Sequence, residues 1–174
     1  ILNFSKLLNQ KTTQTPSAQH VLDEDYYKRI EGIQFTMTHD DDMRAEDVKK
    51  ADIILLRVSR TSKTPTSIYL ANRGYKTLNV PLVINQNIPN LLKEKPDNFC
   101  VIGIMVEAWR LSDIRSGRLD IMKDNITNNY SNLDFIQNEI KSSNKLFRKY
   151  NWPVINVTRK SVEETAASII RVLK

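Results

Sequence analysis

The stretch that most constrains this chain runs from Asp52 to Thr66, Asp-Ile-Ile-Leu-Leu-Arg-Val-Ser-Arg-Thr-Ser-Lys-Thr-Pro-Thr, where an apolar run gives way to a hydroxyl-rich basic loop and then a helical pattern. Ile53 to Val58 is short, β-branched and Leu-rich without alternation, which suits a strand covered on both faces. Ser59 to Thr64 follows with successive backbone N–H groups, the hydroxyls of Ser59, Thr61, Ser62 and Thr64, and the cations Arg60 and Lys63. Pro65 fits the first turn of a helix. A helix amino terminus leaves its first amides unpaired and carries partial positive charge, so it holds an anion by dipole and hydrogen bonds together. Against the phosphate-loop pattern G-x-x-x-x-G-K-[ST], residues 57 to 64 match at Lys63 and Thr64, while Arg57 and Ser62 stand at the glycine positions. Two readings stand at this point, a phosphate-binding loop and an ordinary basic surface turn.

On either side of this stretch, strand and helix patterns alternate. Leu22, Tyr26, Ile30 and Ile33 share one helical face, Gly32 is a natural end for that helix, and Ile33 to Thr38 reads as a short strand. That strand delivers His39, Asp40, Asp41 and Asp42. Adjacent acids there are either a solvated turn capping a helix over 45–50 or a site for magnesium or a general base. Downstream, the pattern predicts a helix to Arg73 capped by Gly74, then a strand over 76–83. A strand over 99–106, a helix over 107–119, a helix over 133–150 and a strand over 152–157 come next. The last helix opens with Ser161 and Glu164 at capping-box spacing and turns Ala167, Ile170, Val172 and Leu173 inward. The alternation calls for a three-layer α/β domain, a mostly parallel sheet with helices on both faces. In such sheets ligands bind beyond the carboxyl ends of the strands, which lines up Ser59 to Thr64, Asn85, Glu107 and Thr158 to Arg159 on one rim. If the strand ending at Thr38 joins the sheet, Asp40 and Asp41 join that rim too. Arg110, Arg115 and Arg118, on the helix after the third strand, either reach phosphate or form its wet face.

At 174 residues the chain is about one domain, with enough length to bury a core. A formal charge of +6 favours an anionic partner, and the scattered cations suit nucleotide as well as nucleic acid. Nucleic acid ranks last, because no basic and aromatic interleaving forms a recognition surface. The single cysteine, Cys100, reads as a core thiol in a reducing compartment. No apolar run approaches the roughly 20 residues of a membrane span, and no signal-peptide pattern opens the chain. A cytoplasmic protein is expected. Since the chain starts at Ile1 without methionine, a missing amino-terminal region is also expected.

The string Val-Ser-Arg-Thr-Ser-Lys-Thr-Pro-Thr-Ser-Ile-Tyr-Leu-Ala over 58–71, with Asn79-Val80-Pro81-Leu82-Val83, closely resembles the pyruvate, phosphate dikinase regulatory protein family. Gln19 to Asp23, Tyr27 to Glu31 and His39-Asp40-Asp41 are similar to that family upstream. Downstream, Arg110-Leu111, Ile114-Arg115, Arg118-Leu119, Trp152 to Thr158 and Ser161 to Glu164 are similar to it as well. The resemblance covers nearly the whole chain in order. It implies a P-loop-kinase-like fold, with a helical lead-in over 1–32 as the remnant of an amino-terminal region and a kinase domain over 33–174.

The activity it implies is bifunctional. ADP phosphorylates a threonine of the dikinase, inactivating it and releasing AMP; inorganic phosphate later removes that group as pyrophosphate. A related branch acts on phosphoenolpyruvate synthase, but its loop tends to read Arg-Cys-Gly-Lys-Thr-Pro, so Thr61 and Ser62 point to the dikinase. By the same resemblance the nucleotide loop maps onto Arg57, Val58, Ser59, Arg60, Thr61, Ser62, Lys63 and Thr64. Lys63 and the loop amides would hold the β-phosphate, Arg60 the transferring phosphoryl, and Thr64 a magnesium ion if one is used. Asp40 or Asp41 would be the base. Two positions depart from the family, which usually has glycine where Arg57 and Asp42 stand. A module that docks on the dikinase without transferring phosphate, or a small-molecule kinase, therefore stays open, as does homodimerisation.

Overall fold

The computed structural model describes residues 23–39, 45–58, 63–82, 92, 99–122 and 131–173. Their elements run α1 (Glu24–Thr38), α2 (Ala45–Val48), β1 (Ile53–Arg57), α3 (Lys63–Ala71), β2 (Thr77–Pro81), β3 (Cys100–Met105), α4 (Ala108–Met122), α5 (Leu133–Lys149), β4 (Val154–Asn156) and α6 (Val162–Leu173). The four strands form one sheet in the order β2-β1-β3-β4, and every pair is parallel. Asn85 lies outside the described residues, as does most of the connection after β2.

Burial on both faces explains why β1 reads as an unbroken apolar run. Ile54 and Leu56 pack with Val48, Ala51, Leu78, Val80 and Phe147. On the opposite face Ile53 and Leu55 pack with Leu70, Ile102, Ile104, Ala166 and Ile169. Helices α2 and α5 thus cover one side and α3 and α6 the other, the layering expected from the alternation. Gly103 permits the closest of these contacts: a Cβ there would fall 2.8 Å from the Phe147 ring.

Two helices end alike. The Tyr75 N–H donates to Leu70 O and the Gly74 N–H to Ala71 O, around Gly74 at φ 88°. The Trp152 N–H donates to Phe147 O and the Asn151 N–H to Arg148 O, around Asn151 at φ 54°. Both are Schellman closures, with glycine or asparagine in the left-handed conformation. At the start of α6, Ser161 N–H donates to Glu164 Oε2 at 2.8 Å and Glu164 N–H donates to Ser161 Oγ at 3.1 Å, the reciprocal box that the spacing predicts. Of the residues expected to face inward from α6, Ile170 and Leu173 pack partly buried against the core while Ala167 and Val172 are exposed, and the fully buried positions are Thr165, Ala166 and Ile169.

The strand expected over 33–38 is helix. Helix α1 passes through Gly32 without a break and ends at Thr38, with Asp23 as its N-cap. Its buried positions are Gly32 and Thr36, four apart, while Tyr26 and Ile30 face solvent. A Cβ on Gly32 would lie 3.0 Å from Ala71 O, so the glycine lets α1 approach α3 closely rather than ending it. Thr36 Oγ1 accepts the Thr77 N–H at 3.2 Å, tying α1 to the first residue of β2.

Candidate functional site

The strand order contains one reversal. The chain leaves β1 and moves outward through α3 to β2, then returns past β1 to β3. Connections on opposite sides of neighbouring strands open a crevice beyond their carboxyl ends, the usual ligand position in open α/β sheets. Here that crevice lies beyond Arg57 and Val58 on one strand and Met105 to Glu107 on the other. The basic loop 59–62 leaves β1 at this point.

The described residues frame the loop on both sides. Val58 packs with Val106, Leu111 and Ile136, and Ala108 joins them, so the exit of β1 sits against the first turn of α4. Across the loop Lys63 opens α3, whose first turn contains no acidic residue. A helix terminus of this kind, with no carboxylate in its own first turn, favours an anion through its dipole.

That turn is anchored from beneath. Asn79, in β2 and 1% exposed, donates its Nδ2 hydrogen to Ser67 Oγ at 2.8 Å. Ser67 Oγ in turn donates to Thr64 O at 3.2 Å. A buried amide in a strand costs stability unless bonded, and here it sets where the first turn of α3 sits on the sheet. The sequence reading missed this pair, although an asparagine amid apolar strand residues is a signal that a partner waits nearby.

The other wall is held by β4. Val157 N–H donates to Met105 O at 2.9 Å, and Glu107 N–H donates to Thr158 Oγ1 at 2.9 Å. The Thr158 hydroxyl and amide both donate to Asn156 Oδ1. Glu107 and Thr158 thus meet on the rim, as the sequence predicts. Trp109 Nε1–H donates to the Glu107 carboxylate.

The proposed site residues fare differently. Arg57 ends β1 beside Pro81 and Ile104 and is only 3% exposed, so its side chain lies inside the protein rather than over the loop in solvent. Val58 is buried beside it, Lys63 is the first residue of α3, and Thr64 is exposed in that turn. Ser59, Arg60, Thr61, Ser62, Asp40, Asp41 and Asp42 lie outside the described residues. The route expected to bring Asp40 and Asp41 to the rim is overturned, because α1 replaces the strand that was to carry them. His39, just before them, caps α1 and sets Nε2 3.2 Å from Asp47 Oδ2.

The arginines of α4 also divide. Arg110 is exposed. Arg115 is neither a wet-face residue nor a surface hook for phosphate: it is 1% exposed and its Nη1 lies 2.8 Å from Glu139 Oε2 on α5. Leu111, an apolar position of the same helix, is buried, whereas Ile114 is 37% exposed.

A family model described as kinase/pyrophosphorylase matches residues 1–170. The chain belongs to that family. It is 62% identical to a Pelagibacter ubique protein over 172 residues, covering 99% of this chain and 63% of that protein. An Erythrobacter litoralis protein is 48% identical over 164 residues, covering 94% of this chain and 59% of its own length. For a Bartonella tribocorum protein the identity is 46% over 174 residues, with 99% and 63% covered. All three are provisionally described as pyruvate, phosphate dikinase regulatory proteins. The chain spans about three-fifths of the length of these curated relatives, 59–63%. As a member of that family it carries, among its described residues, a parallel sheet of four strands. Among its described residues no helix is long and apolar enough to cross a membrane.

Proposed function

We propose that this chain forms the nucleotide-binding part of an ADP-dependent protein kinase and phosphate-dependent pyrophosphorylase that acts on a threonine of pyruvate, phosphate dikinase. The observation that carries the proposal is the β1/β3 reversal at which Arg57 ends its strand, followed at Lys63 by a helix whose first turn holds no acid, the two described ends that flank the basic stretch in sequence. The names of the relatives supply the protein substrate. In the kinase direction the threonine oxygen attacks the β-phosphorus of ADP, the bond to the AMP oxygen breaks, and the hydroxyl proton passes to Asp40 or Asp41. In the other direction an oxygen of inorganic phosphate attacks the phosphothreonine phosphorus, the bond to the threonine oxygen breaks, that oxygen regains its proton from the same acid, and pyrophosphate is the product.

The protein's work in both directions is positioning and charge stabilisation. Lys63 and the loop amides hold the β-phosphate, and Arg60 neutralises the group in transfer. Val58, Ser59, Thr61 and Ser62 shape the cradle, while buried Arg57 supports it from the end of β1. A magnesium ion, if the reaction uses one, would rest mainly on phosphate oxygens with the Thr64 hydroxyl as a protein ligand. Helix α1 crosses the expected boundary at residue 32 and packs on α3, so we place the start of this domain no later than Asp23, in a cytoplasmic protein. The test is calorimetric titration with ADP, followed by transfer of its β-phosphoryl to dikinase threonine, in the parent and in Lys63→Met. Transfer by the parent and none by the variant is expected. Full ADP-dependent transfer by Lys63→Met would remove the loop from the chemistry.

A further inference from the structure

Trp109 stands out among the exposed apolar side chains because it is both solvent-facing and held. It is 45% exposed, and it occupies the second position of α4, directly after the strand that bounds the crevice. Side chains of a helix lean toward its amino terminus. The bond from Trp109 Nε1 to the Glu107 carboxylate carries that lean further, because Glu107 precedes the helix on the rim itself. Glu107 is held in turn by Thr158 Oγ1, and Thr158 by Asn156 Oδ1. The bond from Thr158 fixes the Glu107 backbone at the carboxyl edge of the sheet, and the Glu107 side chain ties the indole to that edge. Val58 packs in the same cluster as Ala108 and Leu111, so this edge adjoins the exit of β1 into the basic loop.

We infer that Trp109 is the platform on which the base of the nucleotide stacks, making the site selective for purine nucleoside diphosphates over bare pyrophosphate. The inference rests on the nucleotide-loop reading above and adds the recognition of the base to it. A flat apolar ring exposed in water gains from a second flat ring laid on it, and stacking tolerates no loss of planarity in either partner. A ring immobilised in advance loses less freedom on binding than a mobile one. The phosphates and the base then have separate holders, the first turn of α3 for the first and α4 for the second.

The experiment titrates the protein with ADP, CDP and inorganic pyrophosphate by calorimetry, for the parent, Trp109→Ala and Trp109→Phe. Base stacking is typically worth about tenfold in affinity or more. Trp109→Ala should therefore weaken ADP about tenfold and leave pyrophosphate within about twofold, while Trp109→Phe should hold ADP within about threefold. In a Trp152→Phe background, Trp109 is the remaining tryptophan of the two in the sequence. Its emission should be quenched by ADP and unaffected by pyrophosphate. If the parent binds ADP and Trp109→Ala binds it equally well, the platform is overturned and the loop reading survives. Equal weakening of ADP and pyrophosphate overturns it too, since that is damage to the phosphate site. Unchanged ADP binding with weakened dikinase binding would hand the indole to the protein substrate. If the parent binds neither ADP nor pyrophosphate, both readings fall.

Discussion

The Asn79 side-chain amide donates to the Ser67 hydroxyl at 2.8 Å, linking the middle of β2 to the first turns of α3 inside the protein. Removing one member of such a buried pair takes a hydrogen bond from the other, at a cost of about 1–3 kcal/mol, whereas removing both is milder. Asn79→Leu and Ser67→Ala should each lower stability by that amount in urea unfolding, and the double variant by less than their sum. Strict additivity would show that the two side chains do not depend on each other.

Gly103 faces the ring of Phe147, with 2.8 Å left for any Cβ. Phe147 is fully buried. Gly103→Ala should cost about 1–3 kcal/mol by overpacking. Phe147→Leu, harmful alone, should recover part of that loss in combination. Thermal melts of the four proteins decide the matter, and an alanine variant as stable as the parent would contradict the packing.

Arg115 and Glu139 join α4 to α5 at 2.8 Å with the arginine wholly enclosed. Breaking a buried pair from one side leaves a charge without its counterion, typically costing about 3–5 kcal/mol. Glu139 keeps some solvent contact, 15%, so the lower end of that range is expected for Glu139→Gln. Denaturant titration measures it. A shift below about 0.5 kcal/mol, the ordinary size for a surface substitution, would mean the pair is unimportant.

Cys100 is half-buried against the α3 and α6 side of the sheet, and this burial pushes its thiol pKa above the usual value. Raising a thiol pKa reduces the thiolate present at any given pH, and the thiolate is the reactive form. Reaction with a disulfide reagent at pH 7 should therefore be slower than for a free cysteine and should climb with pH beyond the point where free cysteine levels off. A rate equal to that of free cysteine at pH 7 would contradict it.

Much of the fold was legible because local chemistry and final position agree. Ile53 to Val58 had to be enclosed, Gly74 had to reach a positive φ, and Ser161 with Glu164 had to cap. The misread segment shows where that agreement fails. Ile-Gln-Phe-Thr-Met-Thr alternates like a strand over 33–38, yet it is helix. Gly32 and Thr36 are buried at helical spacing against α3 and β2, and a local pattern cannot reveal that a glycine serves close packing instead of termination. The site divides in the same way. The loop residues were visible as a string of donors and cations, whereas Asn79, Ser67 and the tie between Glu107 and Thr158 come from elements far apart in the chain.

From its sequence alone this protein has a parallel α/β sheet, a basic loop followed by a helix terminus, and capped helices. These depend on residues close together in the chain, acting through backbone geometry, burial period and unpaired amides. Tertiary structure alone decided that Arg115 belongs to the interior, that Arg57 is buried at the end of β1, and that α1 runs through Gly32. Each of these depends on what a distant element places opposite the residue, such as the Glu139 counterion of Arg115 or the Ala71 carbonyl over Gly32. Local sequence carries no record of that neighbour.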